Sequence, residues 1–195
     1  MRVRLLLLVV AALVAAFFVG QPAQADPVPA TDPGVVTPTE SYLTTADTAA
    51  IRGILAEGRS PLPWWTISAY KYNNPGFDVA GLLAILNAES SLGRGCDYKC
   101  NPGSIKGGPV GSLWRDLRIG TSPAGYNVYP DLRAGLRAAI LLIHTHYSKA
   151  LASGNWYRVG AYYGREVDGY SGWLRDVKVS RARYVRMAAR YGAVW

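Results

Sequence analysis

The pattern of apolar and polar positions divides the chain into helix-like segments separated by stretches rich in glycine and proline. Apolar residues recur every three or four positions over residues 46–57, 77–93, 130–147 and 181–191, a spacing typical of helices with one buried face. A shorter segment at about 156–163 also favours a helix. We find no internal repeat and no convincing alternation of apolar and polar residues, as strands would require. The pattern therefore predicts an all-α protein.

The stretches between these segments indicate how the helices are organised. Many glycines and prolines between residues 93 and 130 predict an irregular lobe, made of loops or a short hairpin, around an opening. The first helix is followed by residues 60–65, where two prolines break the helical pattern. Because about 150 residues bury one core and not two, we expect a single helical domain over residues 44–195.

The first 43 residues differ in composition from the rest of the chain. Two arginines precede an apolar run over residues 5–19, and small residues follow at positions suited to cleavage. This pattern predicts a secretory signal peptide over residues 1–25. Residues 26–43 are rich in proline and threonine and have too few apolar side chains to fold, which predicts a disordered tether. We therefore expect a secreted protein of the cell envelope.

The chain is basic, with 21 lysines and arginines against 13 aspartates and glutamates. Removal of residues 1–25 would take away two arginines and no acidic residue, which leaves a surplus of six positive charges. A surplus of this sign favours contact with polyanions. For an exported protein we expect these to be anionic cell-wall polymers rather than nucleic acid, and we expect the protein to act as a monomer.

Cys96 and Cys100 are the two cysteines of the chain. In an oxidising compartment this spacing predicts a disulfide that pins a short loop. Redox catalysis would favour a closer spacing beside a strand, and zinc would favour a recognisable set of ligands. His144 and His146 are two positions apart and so point away from each other on a helix. We therefore expect no metal site and no cofactor.

Glu89 is the main candidate for chemistry, because it falls on the apolar side of the helix predicted over 77–93. Leu86, Ile85 and Leu82 precede it by three, four and seven positions. Burial disfavours the charged form of a carboxyl and raises its pKa, which lets a glutamate keep a proton near neutral pH. Such a group can protonate a leaving oxygen, as glycoside cleavage requires. The alternative is a glutamate at the helix edge that reaches solvent.

Four parts of the chain carry a resemblance to a known group of proteins. They are Asn87-Ala-Glu-Ser-Ser-Leu-Gly93, Asn101-Pro-Gly-Ser-Ile-Lys-Gly107, Tyr126-Asn-Val-Tyr-Pro-Asp-Leu-Arg-Ala-Gly135, and the pair Ala161-Tyr-Tyr-Gly164 and Arg183-Tyr-Val185. The first looks like the active-site helix of the lysozyme-like superfamily, with the Glu-Ser pair of bacterial glucosaminidases and lytic transglycosylases. The second is similar to the glucosaminidase segment Asn-Leu-Phe-Gly-Ile-Lys-Gly, and the third resembles that family's Phe-Arg-Val-Tyr stretch. The last pair is similar to the tyrosine segments beside the transglycosylase cleft.

This resemblance implies a lysozyme-like fold and a glycoside hydrolase that cleaves the peptidoglycan strands of the cell wall. It implies an enzyme of the N-acetylglucosaminidase type, with Glu89 as general acid and then base. The Gly-Leu-Met-Gln run that follows this glutamate in transglycosylases is absent. This absence makes a lytic transglycosylase the alternative and not the first choice. A non-catalytic wall-binding module is a second alternative. The residues that the resemblance implies for substrate binding are Ser90, Asn101, Tyr129, Tyr163 and Tyr184.

Two parts of the predicted site remain open at the level of sequence. The candidates for a second carboxylate are Asp97, Asp116 and Asp168, and the N-acetyl group of the substrate can replace that carboxylate. The candidates to stack on sugar rings are Trp64, Trp65, Trp114, Tyr163 and Tyr184. Ordinary core packing is the alternative for each of these aromatic residues.

Overall fold

The computed structural model describes residues 45–96, 100–108, 111–153 and 170–195. These residues are mostly helical and include one two-stranded sheet, so the predicted helical class is confirmed for them. The helices are α1 (Ala46–Glu57), α2 (Trp64–Asn73), α3 (Val79–Ser90), α4 (Leu113–Asp116), α5 (Leu132–Leu142), α6 (Ser148–Ala152) and α7 (Tyr170–Ala189). The strands are β1 (Gly120–Thr121) and β2 (Asn127–Val128), and a π-helical turn (Ile143–Tyr147) joins α5 to α6.

Three of the predicted segments lie outside the described residues. They are the signal peptide over 1–25, the tether over 26–43 and the short helix over 156–163. Among the helices that are described, none combines the length and the apolar character that crossing a bilayer would demand.

Helix α3 lies at the centre of the core. Asp78 caps its first turn by accepting a hydrogen bond from the Gly81 N–H at 2.8 Å. Every residue from 79 to 86 is buried, so α3 is enclosed on all sides and not only along the stripe that the apolar spacing predicted. A helix that is apolar around its whole circumference is buried in this way, because no face of it gains from contact with water.

Helix α7 packs against α1 and makes contact with both ends of α3. Arg181 pairs with Asp78 at the start of α3 at 2.9 Å, and Trp173 reaches Glu89 near the end of α3. The sequence predicted this helix only over 181–191, whereas α7 begins at Tyr170. The earlier part was missed because charged residues interrupt its apolar positions, so that it has no clear stripe.

A short hairpin lies in the region where loops or a hairpin were predicted. Gly120 pairs with Val128 and Thr121 pairs with Asn127 in antiparallel register. An isolated bridge from Lys106 to Tyr126 brings the loop over 100–108 alongside the hairpin. The irregular lobe predicted between residues 93 and 130 is confirmed for its described part.

The helix predicted over 130–147 is interrupted. Asp131 caps α5 by accepting a hydrogen bond from the Ala134 N–H at 2.7 Å, as the sequence predicted. Regular α-helix then gives way to the π-helical turn before α6 begins. The apolar spacing contained no sign of this change, because Ile143 and Tyr147 are four positions apart and both remain buried.

Cys96 and Cys100 are not joined by a disulfide in this structure, which corrects the bridge predicted from their spacing. The Cys100 N–H donates a hydrogen bond to the Cys96 carbonyl at 3.2 Å, and the Cys100 backbone is left-handed with φ of 47°. A backbone hydrogen bond therefore closes the turn that a disulfide was expected to pin. Export and spacing predicted the bridge, but neither of them determines the side-chain geometry that a disulfide requires.

Candidate active site

Glu89 lies one residue before the end of α3, and the helix ends earlier than the predicted Gly93. Ser91, Leu92 and Gly93 follow it in left-handed conformations, with φ of 51°, 60° and 86°. The Leu92 N–H donates to the Leu86 carbonyl at 3.1 Å, which satisfies a free carbonyl of the last helical turn. Left-handed backbone costs about 1–2 kcal/mol for a residue other than glycine, and it concentrates at functional sites.

The Glu89 carboxyl is half-buried and is held by two groups from distant parts of the chain. The Trp173 indole N–H donates a hydrogen bond to Glu89 Oε1, with an N–O distance of 2.8 Å. Burial raises the pKa of the Glu89 carboxyl, and hydrogen bonds from Trp173 and from the Ser104 hydroxyl oppose that rise. Because the effect of burial is the largest, this carboxyl holds its proton more tightly than a free glutamate does. Such a group is suited to proton transfer.

Trp173 was not among the site residues predicted from the sequence. It lies on α7, 84 residues away from Glu89, and only the packing of α7 against α3 brings the two together. An indole N–H normally has a hydrogen-bond partner when its ring is packed inside a protein. That rule predicts a partner for Trp173 but does not predict which residue it is.

Ser104 approaches Glu89 from the loop over 100–108. Its backbone is left-handed, with φ of 48°, a conformation that favours glycine. The glucosaminidase segment that resembles this loop has glycine at the same position. Asn101 fixes the turn, because its side-chain oxygen accepts from the Ile105 N–H and its side-chain amide donates to the Ile105 carbonyl, both at 2.9 Å. A serine at a position suited to glycine is the signal that could have identified Ser104.

Ser90 and Asn101 were predicted to contact substrate, but their polar atoms bind the backbone inside the fold. The Ser90 hydroxyl donates to the Pro102 carbonyl at 2.8 Å and accepts from the Gly93 N–H at 2.9 Å. The Asn101 amide donates a further hydrogen bond to the Asn127 carbonyl at 3.0 Å. Both side chains are buried. They connect the end of α3 to the loop that carries Ser104, and so support the site from behind.

Tyr129 is likewise placed in the core and not at a surface. It is 1% exposed, its hydroxyl donates to the Trp114 carbonyl at 3.0 Å, and the same hydroxyl accepts from the Asn127 amide at 3.3 Å. These bonds connect the residue after β2 to α4. Tyr129 therefore has the role of core packing, which was the alternative for the aromatic residues.

The structure describes one of the two tyrosines that were predicted to face the cleft. Tyr163 lies outside the described residues. Tyr184 is buried in α7, and burial raises the pKa of its hydroxyl. Within the described part of the chain, the groups that bond to the Glu89 carboxyl come from Trp173 and Ser104 and not from Tyr184.

The tryptophans predicted to stack on sugar rings are placed in two kinds of surroundings. Trp64 and Trp65 are half-buried, with the Arg52 guanidinium 4.9 Å from the centre of the first ring and that of Arg133 4.5 Å from the second. An arginine on a ring favours cation–π contact there. Trp114 is buried against a histidine ring, so its face is not available to a sugar.

The structure describes one of the three candidates for a second carboxylate. Asp116 is exposed in α4, and Asp97 and Asp168 lie outside the described residues. Across the same described ranges, no three His, Cys, Asp or Glu side chains come together as a set of metal ligands. Glu89 is the candidate acid that the geometry supports.

A cavity of about 260 Å³ lies at the start of α3, at the opposite end of that helix from Glu89. Its walls include Lys71, Phe77, Asp78, Arg181 and Trp195. The charged groups there already have partners, since Arg181 pairs with Asp78 at 2.9 Å and Lys71 donates to backbone carbonyls. This cavity is separate from the Glu89 site.

Comparisons of the chain with protein-family models, with curated proteins and with solved structures found no match. The case for a function therefore depends on the surroundings of Glu89 and on the segments that resemble the lysozyme-like superfamily.

Proposed function

We propose that this protein is a secreted glycosidase that cleaves the glycan strands of peptidoglycan, with Glu89 as its general acid and then its base. The observation that carries the proposal is the half-buried Glu89 carboxyl at the end of α3, bound by Trp173 and Ser104, with a pKa that burial raises. The Glu-Ser pair and the other segments that resemble glucosaminidases and transglycosylases support the choice of substrate.

The proposed reaction has two steps that use the same carboxyl. In the first step, protonated Glu89 gives its proton to the glycosidic oxygen, and the bond from that oxygen to the anomeric carbon breaks. In the second step, water attacks the anomeric carbon and Glu89 takes one of its protons, which restores the acid and completes hydrolysis. Acid–base catalysis of this kind accelerates a reaction by about 10²- to 10⁴-fold.

A transglycosylase outcome is the second candidate, and the segments Ala161-Tyr-Tyr-Gly164 and Arg183-Tyr-Val185, which are similar to tyrosine segments of transglycosylases, support it. In that outcome the 6-hydroxyl of the same sugar attacks the anomeric carbon, and Glu89 takes the hydroxyl proton. The N-acetyl group of the substrate can replace a carboxylate nucleophile in either outcome. Hydrolysis adds one water molecule to the products and transglycosylation does not, so product masses distinguish the two.

The proposal is tested with Glu89→Gln on purified cell walls. Glutamine keeps the size of the side chain and an oxygen that accepts from Trp173, but it has no proton to transfer. We expect release of soluble wall fragments to fall by about 10²- to 10⁴-fold.

The matched control is Glu57→Gln, because Glu57 is an exposed carboxylate that pairs with Arg183 on the surface. We expect this variant to cleave walls at the wild-type rate. A Glu89→Gln protein that clears walls as fast as wild type would exclude Glu89 as the acid. A wild-type protein that binds walls and releases no fragments would identify a wall-binding module.

A further inference from the structure

The hydrogen bond from Trp173 determines which oxygen of Glu89 carries the proton of the acid form. An indole N–H is a donor and has no acceptor capacity. The N–O distance of 2.8 Å to Oε1 is that of a well-formed hydrogen bond. In a carboxylic acid the unprotonated oxygen is the better acceptor, so the oxygen that faces Trp173 remains without a proton. The proton of neutral Glu89 therefore belongs on Oε2.

Ser104 differs from Trp173 in the hydrogen bonds that it can make. Its hydroxyl is a donor and also an acceptor. Its hydrogen bond favours the charged Glu89 carboxylate and lowers the pKa of that group. Ser104 therefore does not select between the two oxygens, whereas Trp173 favours one arrangement of them.

We propose that Trp173 is a positioning residue that fixes Oε2 as the atom through which Glu89 gives and regains its proton. Oε2 gives its proton to the glycosidic oxygen as the C–O bond breaks, and it then accepts a proton from the attacking water or sugar hydroxyl. One atom serves both steps, and the carboxyl does not have to turn between them. The catalytic part of this inference rests on the proposed function.

Trp173 is itself held in place. Its ring packs against the core, and the Arg181–Asp78 pair fixes α7 at the other end of α3. A carboxyl that faces a donor anchored in this way is preorganised for proton transfer.

The test compares Trp173→Phe with Trp195→Phe, because the Trp195 indole also donates to a carboxylate, Asp47 Oδ1, at 2.6 Å. The side-chain carboxyl carbons of the glutamates are followed by ¹³C NMR as a function of pH. In Trp173→Phe the Glu89 carboxyl loses a hydrogen bond that normally lowers its pKa. The titration of Glu89 should therefore move to higher pH. Ser104→Ala should move it in the same direction, and Trp195→Phe should leave it unchanged.

Wall cleavage gives the second measurement. Glu89 must be protonated to act as the acid, so the alkaline limb of the pH–rate profile should move to higher pH in Trp173→Phe. Turnover at the optimum should fall by about ten- to a hundredfold, because the carboxyl is less well positioned. A purely structural role for Trp173 would lower the rate without moving this limb.

The two measurements separate failure of the inference from failure of the proposed function. Wall cleavage by the wild type, with an unmoved Glu89 titration in Trp173→Phe, would overturn the inference. A moved titration in a protein that cleaves no walls would reject the proposed function while keeping the hydrogen bond from Trp173 to Glu89. If Trp173→Phe does not fold, the indole N–H resonance of Trp173 in the wild-type protein decides, because a hydrogen bond to Oε1 makes that resonance shift as Glu89 titrates. An indole resonance that does not move with Glu89 would overturn the inference.

Discussion

Glu89 is a residue whose environment works against the stability of the fold near neutral pH. Burial raises its pKa, so the folded protein binds this proton more tightly than the unfolded chain does. The stability contributed by the neutral carboxyl is fully present below the pKa of the unfolded chain, and it is lost as pH rises through the higher pKa of the folded protein. Proteins often retain a destabilising residue where their function requires it.

This reasoning predicts that Glu89→Gln is more stable than wild type near neutral pH, because glutamine has no charge to bury. The difference in the free energy of unfolding should disappear below about pH 4, where the wild-type carboxyl is neutral in both states. Urea unfolding over a series of pH values measures it. Glu57→Gln is the control, since Glu57 is an exposed carboxylate on the surface. A stability difference that grows as pH falls would contradict a buried acid at position 89.

At the scale of elements, the loop over 100–108 is ordered without regular secondary structure of its own. The Asn101 side chain takes the place of strand or helix hydrogen bonds, since it bonds to both backbone groups of Ile105 and to the Asn127 carbonyl. The Asn101 amide therefore contributes to the shape of the loop, together with the Ser90–Pro102 hydrogen bond and the Lys106–Tyr126 bridge, and the position of Ser104 depends on the loop.

Asn101→Ala should lower the free energy of unfolding by about 3 kcal/mol, because it removes the side-chain partners of the buried Ile105 N–H and of the Asn127 carbonyl. Wall cleavage should fall as well, since Ser104 loses its support. Asn73→Ala is the matched control, because the Asn73 amide donates to the Ala69 carbonyl at 2.9 Å in an exposed position. We expect Asn73→Ala to lower the free energy of unfolding by less than about 0.5 kcal/mol. If urea unfolding gave the same loss of unfolding free energy for Asn101→Ala and Asn73→Ala, the loop would not depend on Asn101.

At the scale of the whole molecule, the loop over 100–108 depends on close packing against α5. A Cβ atom added to Gly135 would lie 1.8 Å from the Cys100 carbonyl oxygen, which is backbone and cannot move alone. Glycine is therefore required at this position for α5 to approach the loop. The packing of a helix that is remote in sequence thus contributes to the placement of Ser104.

Gly135→Ala should destabilise the protein by about 3 kcal/mol, because the loop and α5 must move apart. Gly172→Ala, in α7, is the matched control, since no atom lies within 4 Å of a Cβ added at that position. Alanine should stabilise that helix by about 0.5–1 kcal/mol. Thermal unfolding of the two variants measures both effects. A Gly135→Ala protein with an unchanged melting temperature would show that the loop can move without cost.

The sequence by itself determined most of the local structure. It predicted α1 with the observed bounds, the cap of α5 at Asp131 and an irregular lobe with a hairpin. It also placed Glu89 near the end of a buried helix. These features depend on residues that are close together along the chain, so apolar spacing and capping residues are enough to predict them. Helix α2 was missed, because its two tryptophans and its polar residues form no apolar stripe.

Only the tertiary structure decided what surrounds Glu89. Trp173 is brought to it by the packing of α7 against α3, and Ser104 is brought to it by a turn that Asn101 holds. Ser90 and Tyr129, which were expected to contact substrate, use their hydroxyls inside the fold. The physical reason is that the pKa of a carboxyl and the partners of a buried hydroxyl depend on contacts between distant segments. The spacing of residues within one segment contains no information about those contacts.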